Sequence, residues 1–284
     1  MPFNTAVVGG QTKEFVHQVD ARWLMAYASG LADTNARYLD TSAHTVIGHP
    51  VFPVCLEWPA ILDCFDLPGM ESVSAEERVR NVHAAHDLHI FRPIQAGENL
   101  TTTATIVGLA QIKPGAAQTI RLDTLAEDGE LVCRTYQLGI KRGVDVIGEA
   151  KTVDTTPDFP PVSGDEKQRF SIPVARETAH VYTECARIWN PVHTDRAVAL
   201  AAGLPDIILH GTATMAFAVS RIVDHLLDGD PTRVTRLGGR FTAMVLMPST
   251  ITLEVHGKHD GVIGYSVFTQ DGRPAISQGF ICYA

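Results

Sequence analysis

Tyr182-Thr-Glu-Cys-Ala-Arg-Ile-Trp-Asn-Pro-Val-His-Thr-Asp195, followed by His210-Gly-Thr212, sets an amide (Asn190), a turn-forming proline (Pro191) and an imidazole (His193) in one short polar stretch. A second imidazole stands before a glycine that opens a new apolar run. Polar clusters bracketed by apolar segments are where chemistry usually sits. Working outward, residues 177–188 read as a helix and 190–195 as irregular. Residues 197–202 form a short helical turn ended by Gly203, and 207–227 a long apolar helix opening at His210-Gly211. Beyond it, 239–245, 249–255 and 262–268 alternate as strands, and Asp271-Gly272 turns the last hairpin into 275–283.

The same layout occurs earlier in the chain. Asp20 is placed to cap a helix over 21–29 that stops at Gly30, and 31–40 is polar and irregular. The turn-rich His49-Pro-Val-Phe-Pro53 delivers the chain into an apolar segment, 54–65, long enough for a buried helix. After a charged stretch over 74–80, strands are expected at 89–94, 97–107, 119–125 and 131–140, the last pair joined by Glu127-Asp-Gly129. Asn35 then pairs with Asn190, His49 with His210, Phe91 with Phe241 and Gly129 with Gly272, at an offset that drifts as loop insertions would make it. A repeat of this size points to duplication of a whole domain. Each copy wraps one antiparallel sheet around one long apolar helix, an α+β arrangement. The expected domains are 1–142 and 169–284, joined over 143–168 by a linker rich in Asp, Pro, Thr and Gly.

Composition agrees. A chain of 284 residues with 45% hydrophobic and 19% charged side chains can bury the cores of two such domains. A net charge of −9 argues against nucleic acid or an anionic membrane as a partner. Five scattered cysteines (55, 64, 133, 185, 282) without CxxC spacing suggest neither a disulfide framework nor a zinc site. His83, His86 and His89 lack acid or thiol partners at ligand spacing, so no metal or other cofactor is expected. The N-terminus has no basic region followed by an apolar one, no apolar run reaches ~18 residues, and Ile281-Cys-Tyr-Ala284 is neither a prenylation box nor a peroxisomal address. A soluble cytoplasmic protein is the expectation.

Asn190-Pro-Val-His193-Thr-Asp195, with Ala201-Ala-Gly203-Leu-Pro205 and His210-Gly211, resembles the hydratase motif of MaoC-like, (R)-specific enoyl-thioester hydratases. The resemblance implies two tandem hotdog domains, a double hotdog, covering nearly the whole chain. It also implies reversible hydration of a trans-2-enoyl thioester of coenzyme A or acyl carrier protein. Sheet edges of this kind usually find a partner, so a homodimer is expected. The family's motif carries Gly-Asp before x-Asn-Pro-x-His; here those positions are Arg187 and Ile188, and Ile188 can take no proton.

Against that frame, His193 is the candidate base, since imidazole transfers protons near neutral pH. Asn190 is a candidate to orient the water or the histidine, although asparagine is also a common turn former. Glu184, one helical turn before Ile188, is a candidate replacement acid, and Asp33 a weaker one. The resemblance gives Gly211 an oxyanion role at the helix opening, with His210 and Thr212 beside it. Trp189 is a candidate pocket wall or a core residue. Arg240, Arg92 and Arg187 are candidate phosphate contacts. The first copy has Tyr38 in place of His193 and Pro50, which has no N–H, in place of Gly211, so it is expected to supply only pocket walls. Two alternatives stand beside hydration. One is a non-catalytic acyl-thioester-binding or supporting subunit, because of Ile188. The other is an acyl-CoA thioesterase.

Overall fold

The computed structural model describes residues 3–70, 73–74, 77, 81–162 and 167–284. Most of the charged stretch over 74–80 lies outside the described residues. In chain order the elements are β1 (Phe3–Asn4), β2 (Phe15–Val19), α1 (Ala21–Gly30), α2 (Ala36–Leu39), α3 (Pro53–Asp63), β3 (Asn81–Ile90), β4 (Glu98–Ile112), β5 (Gly115–Ala126), β6 (Leu131–Arg142), β7 (Val146–Ile147) and β8 (Lys151–Thr152). They continue with β9 (Gln168–Val174), α4 (Thr178–Ala186), α5 (Arg196–Ala201), α6 (Gly211–Leu226), β10 (Val234–Phe241), β11 (Ser249–His259), β12 (Val262–Phe268) and β13 (Pro274–Tyr283).

The chain divides into two compact units: Met1–His17 with Leu56–His89 and Asn99–Asp158, and Gln18–Cys55 with Ile90–Glu98 and Phe159–Ala284. These do not follow the division at 143–168. The segment 18–55 stands in the first half of the sequence but folds within the second unit. There Tyr27 bonds Tyr182, Asn35 donates to the Gly229 carbonyl and His49 meets Ser220.

In the first unit the strands run in the order β4-β5-β6-β3, and β4-β5 and β5-β6 are antiparallel. Alternate residues of β4 and β5 point inward, and Ala104, Ile106, Ile120 and Leu122 close over Ala60 of α3. In the second unit the order is β10-β13-β12-β11-β9, antiparallel throughout. α6 packs on β13 and buries Ala213 to Ser220 together with Ile222 and Val223. Each fully buried Val, Ile, Met or Phe of such a helix contributes about 1.5–3 kcal/mol.

Local signals decided several of these elements. Asp20 accepts from Trp23 N at 2.7 Å and starts α1, whose buried Trp23, Leu24, Tyr27 and Ala28 lie at helical spacing. Gly129 and Gly272 take positive φ in the two hairpin turns. Elsewhere the structure corrects the sequence reading. Residues 31–40 contain the helical turn α2, β10 starts at Val234 rather than 239, and β9 was not expected. Nor was β3 between 81 and 88. Its Ala85, His86, Asp87 and Leu88 are all buried, and two polar residues in that run hide the usual alternation. The expected linker carries β7, which pairs in parallel with β1, and β8, which pairs with β4.

No helix among the described residues is long and apolar enough to cross a membrane.

Candidate active site

The candidate site lies in the second unit, where the loop after α4 meets the start of α6. Asn190 is the N-cap of a 3-10 turn over Pro191–His193, its side chain accepting from Val192 N at 3.4 Å. Pro191, with φ preset, is suited to the first position of such a turn. The turn brings His193 Nδ1 to 2.8 Å from the Ile208 carbonyl. A carbonyl can only accept, so Nδ1 carries the proton and Nε2 keeps its lone pair.

His193 stacks on His210 with ring centroids 3.6 Å apart and planes inclined by 27°. His210 is buried, sits 4.9 Å from the Tyr182 ring and has Thr183 Oγ1 3.3 Å from its Nε2. Burial pulls the His193 pKa down to about 4, opposed by the Ile208 carbonyl. Burial, and then the neighbouring His193, hold His210 well below its ordinary value, opposed by the Ile188 carbonyl. Both rings are therefore neutral near pH 7, as two stacked imidazoles in a poorly solvated place must be.

His210 is also the N-cap residue of α6, yet its side chain caps nothing. Thr214 N is the first amide to reach a carbonyl, that of His210 at 3.0 Å, so the amides of Gly211, Thr212 and Ala213 precede the first acceptor. These donors stand at the positive end of a sixteen-residue helix. Thr212 Oγ1 receives a hydrogen bond from Tyr182 Oη at 3.1 Å. Gly211 has a packing reason to be glycine, because a Cβ there would meet Phe241 ring carbons at 2.9 and 3.1 Å.

With that geometry in place, comparison with known proteins is direct. Residues 159–270 match the model of the MaoC-like domain. The C-terminal half carries a MaoC-like domain. Residues 6–135 match the FAS1-like dehydratase domain region. The chain is 26% identical to peroxisomal enoyl-CoA hydratase 2 of Arabidopsis thaliana over 82% of its own length and 76% of the relative's. It superposes on a MaoC-like dehydratase structure from Phytophthora capsici with TM-score 0.83 at 19% identity, covering 98% and 97% of the two chains. A Mycobacterium tuberculosis protein described as a double hotdog aligns with TM-score 0.64 at 15% identity, covering 96% of both. The fold is the double hotdog.

Within this MaoC-like domain, His193, His210, Gly211 and Thr212 come together. Ile188, at the family's acid position, is buried and apolar. Glu184 is exposed and accepts from Trp189 Nε1 at 3.4 Å. Trp189 is 58% exposed, so the core reading of that tryptophan is corrected; it follows the left-handed Arg187, which ends α4 and turns the chain outward. Arg240 points away from the helix opening. Its strand neighbour Phe241 faces Gly211, whereas Arg240 donates to Gln278 Oε1 at 2.7 Å and covers the Phe159 ring at 5.6 Å. Arg92 pairs with Glu98 at 2.6 Å, and Arg187 lies 3.9 Å over the Trp23 ring. None of the three arginines meets the histidine pair. Asp33 is buried and accepts from Asn35 N at 3.0 Å in the loop before α2.

Sequence reasoning gave no role to Tyr182, Thr183, Tyr27 or Phe241. Tyr182, Thr183 and Ala186 mark the buried stripe of α4, and that spacing was the one available signal.

Proposed function

We propose that the protein adds water across the double bond of a trans-2-enoyl thioester, and runs the reverse dehydration of a 3-hydroxyacyl thioester. The observation that carries this reading is the His193 tautomer: Nδ1–H is committed to the Ile208 carbonyl and Nε2 is left as a base beside an uncapped helix end. Relatives named as an enoyl-CoA hydratase and a 3-hydroxyacyl-thioester dehydratase support it. Coenzyme A or acyl carrier protein would carry the acyl group.

In this scheme the thioester carbonyl lies at the start of α6. His193 Nε2 takes a proton from water as the water oxygen bonds to Cβ. The π pair of the alkene shifts toward the carbonyl oxygen, where the Gly211 and Thr212 amides stabilise the enolate. The imidazolium then returns the proton to Cα, and the C=C bond has become one C–O and one C–H bond. With Ile188 in the acid position, one imidazole does both transfers. Asn190 acts by capping the turn that presents His193, and Glu184 takes no part.

A base whose resting pKa is low still suffices, because the enolate that forms beside it stabilises the imidazolium in the transition state. Crotonyl-CoA and longer enoyl-CoAs, followed by loss of the enoyl thioester absorbance, test the reading. Turnover is expected, with His193→Gln slower by about 10²- to 10⁴-fold. Failure to hydrate any of them refutes it. Tight binding of enoyl-CoA without turnover would favour the acyl-thioester-binding reading, which the apolar Ile188 supports.

A further inference from the structure

The helix opening contains a hydroxyl chain that hydration by His193 and the backbone amides alone does not use. Tyr27 Oη lies 3.2 Å from Tyr182 Oη, and Tyr182 Oη donates to Thr212 Oγ1 at 3.1 Å. Both tyrosines are fully buried, their rings 5.7 Å apart, and burial pushes both phenols well above their ordinary pKa. They are therefore neutral donors. With Tyr182 donating forward, the hydrogen between the two phenols is supplied by Tyr27, and the chain has one direction.

It ends on Thr212, which is part-exposed at the second position of α6. Its oxygen is occupied as an acceptor, and its own proton has no acceptor among the described residues. A second group at the same opening is also unsatisfied: His210 Nδ1 is buried without a hydrogen-bond partner there. Buried polar groups are nearly always paired, so the buried His210 Nδ1, together with the Thr212 O–H and the first helix amides at the same mouth, points to a polar ligand group there.

We propose that the Thr212 hydroxyl donates to the thioester carbonyl beside the helix amides, and that Tyr182 and Tyr27 are positioning residues that fix its direction. This rests on the hydration reading for what the carbonyl does next. It adds a side-chain donor, contributed through a tyrosine from each half of the sequence. Linear hydroxyl chains polarise one another, so each upstream O–H strengthens the last donor. The donor in turn stabilises the enolate more than the ground-state carbonyl, because the oxygen gains charge.

The test combines kinetics with carbonyl spectroscopy. For hydration of crotonyl-CoA, Thr212→Val is expected to lower kcat by roughly 10²-fold, with KM within about threefold and Thr212→Ser close to wild type. Tyr182→Phe is expected to lower kcat about tenfold, the loss of one hydrogen bond. The Tyr182→Phe/Thr212→Val double variant should be no slower than Thr212→Val alone. Thr212→Val within twofold of wild type, or a tyrosine effect that multiplies fully onto it, overturns the proposal.

Infrared spectra of bound butyryl-CoA carrying a ¹³C thioester carbonyl read the same contact without turnover. The carbonyl band should shift down in the wild type, lose part of the shift in Thr212→Val and regain it in Thr212→Ser. An identical band in wild type and Thr212→Val, or no bound-state band at all, overturns it. A shift that depends on Thr212 in a protein that turns over no enoyl-CoA would leave the donor standing and remove hydration. The two failures are thus distinguishable.

Discussion

The pH dependence of kcat/KM tests the structure of the base directly. An imidazole beside a carboxylate titrates above its ordinary value of 6.5; His193 has no carboxylate partner among the described residues and is pulled down to about 4 by burial. The difference from the ordinary value disfavours the charged ring by up to about 3 kcal/mol. At pH 7 the His193 ring is then almost wholly neutral. Initial rates of crotonyl-CoA hydration at low substrate concentration should stay level from pH 8 to about 5 and fall tenfold per unit below about 4. Circular dichroism at each pH separates loss of the base from unfolding. An acidic limb well above 6.5, in folded protein, would show that an acid does reach His193 and would refute the single-base scheme, and a limb near 6.5 would refute the lowering by burial.

Three further outcomes follow from other contacts. Gly211→Ala places a methyl against the Phe241 ring and should cost about 1–3 kcal/mol in urea unfolding as well as slowing hydration; Phe241→Leu in the same chain should restore part of the stability. Glu184→Gln should change kcat by less than threefold, because that carboxylate is exposed and faces the Trp189 indole; a loss of 10²-fold would reinstate it as the acid. Buried Glu57, which accepts from Thr135 Oγ1, has its pKa raised to about 7 by burial. Its contribution to stability is complete below about 4.5 and is lost as pH rises through about 7. Unfolding of Glu57→Gln should therefore lack a fall of up to about 3 kcal/mol that the wild type shows between pH 5 and 8, and parallel curves for the two proteins would contradict this.

Those elements whose causes are local were legible in the sequence: α1 from Asp20, the hairpins from Asp-Gly, α6 from its apolar run. The site was legible where it rests on the 190–193 turn, since amide, proline and imidazole at that spacing define the geometry themselves. What stayed hidden depends on neighbours far along the chain. Nothing in Tyr27 or Tyr182 alone shows that their hydroxyls meet across 155 positions. Arg240 was open between a phosphate contact and a surface charge, because a charge was visible in the sequence and its strand face was not. Trp189 read as a pocket wall or as core, and the left-handed turn at Arg187 that exposes it has no glycine to announce it.

The two copies of the motif, both in the second unit, explain what the asparagine is for and why only one copy stays open. In the first, Asn35 accepts from Arg37 N at 2.9 Å and caps α2, and in the second Asn190 caps the His193 turn in the same way. The amide is thus the turn's fastener in both. The copies diverge at the second histidine. His49 Nδ1 accepts from Val51 N at 3.0 Å, which leaves its Nε2–H to meet Ser220 Oγ at 3.2 Å, so the ring closes its own turn and is fully used. Asp33, the acid that survives there, accepts from Asn35 N in the loop before α2. His210, by contrast, caps nothing, its buried Nδ1 has no hydrogen-bond partner among the described residues, and the amides of Gly211, Thr212 and Ala213 precede the first helical acceptor. Closing one turn with side chains and leaving the other open separates two stretches of similar sequence, and on the proposed reading only the second serves as a site. On this view Tyr38→His in the first copy should not create a second base, because His49 and Pro50 offer no open donor beside it.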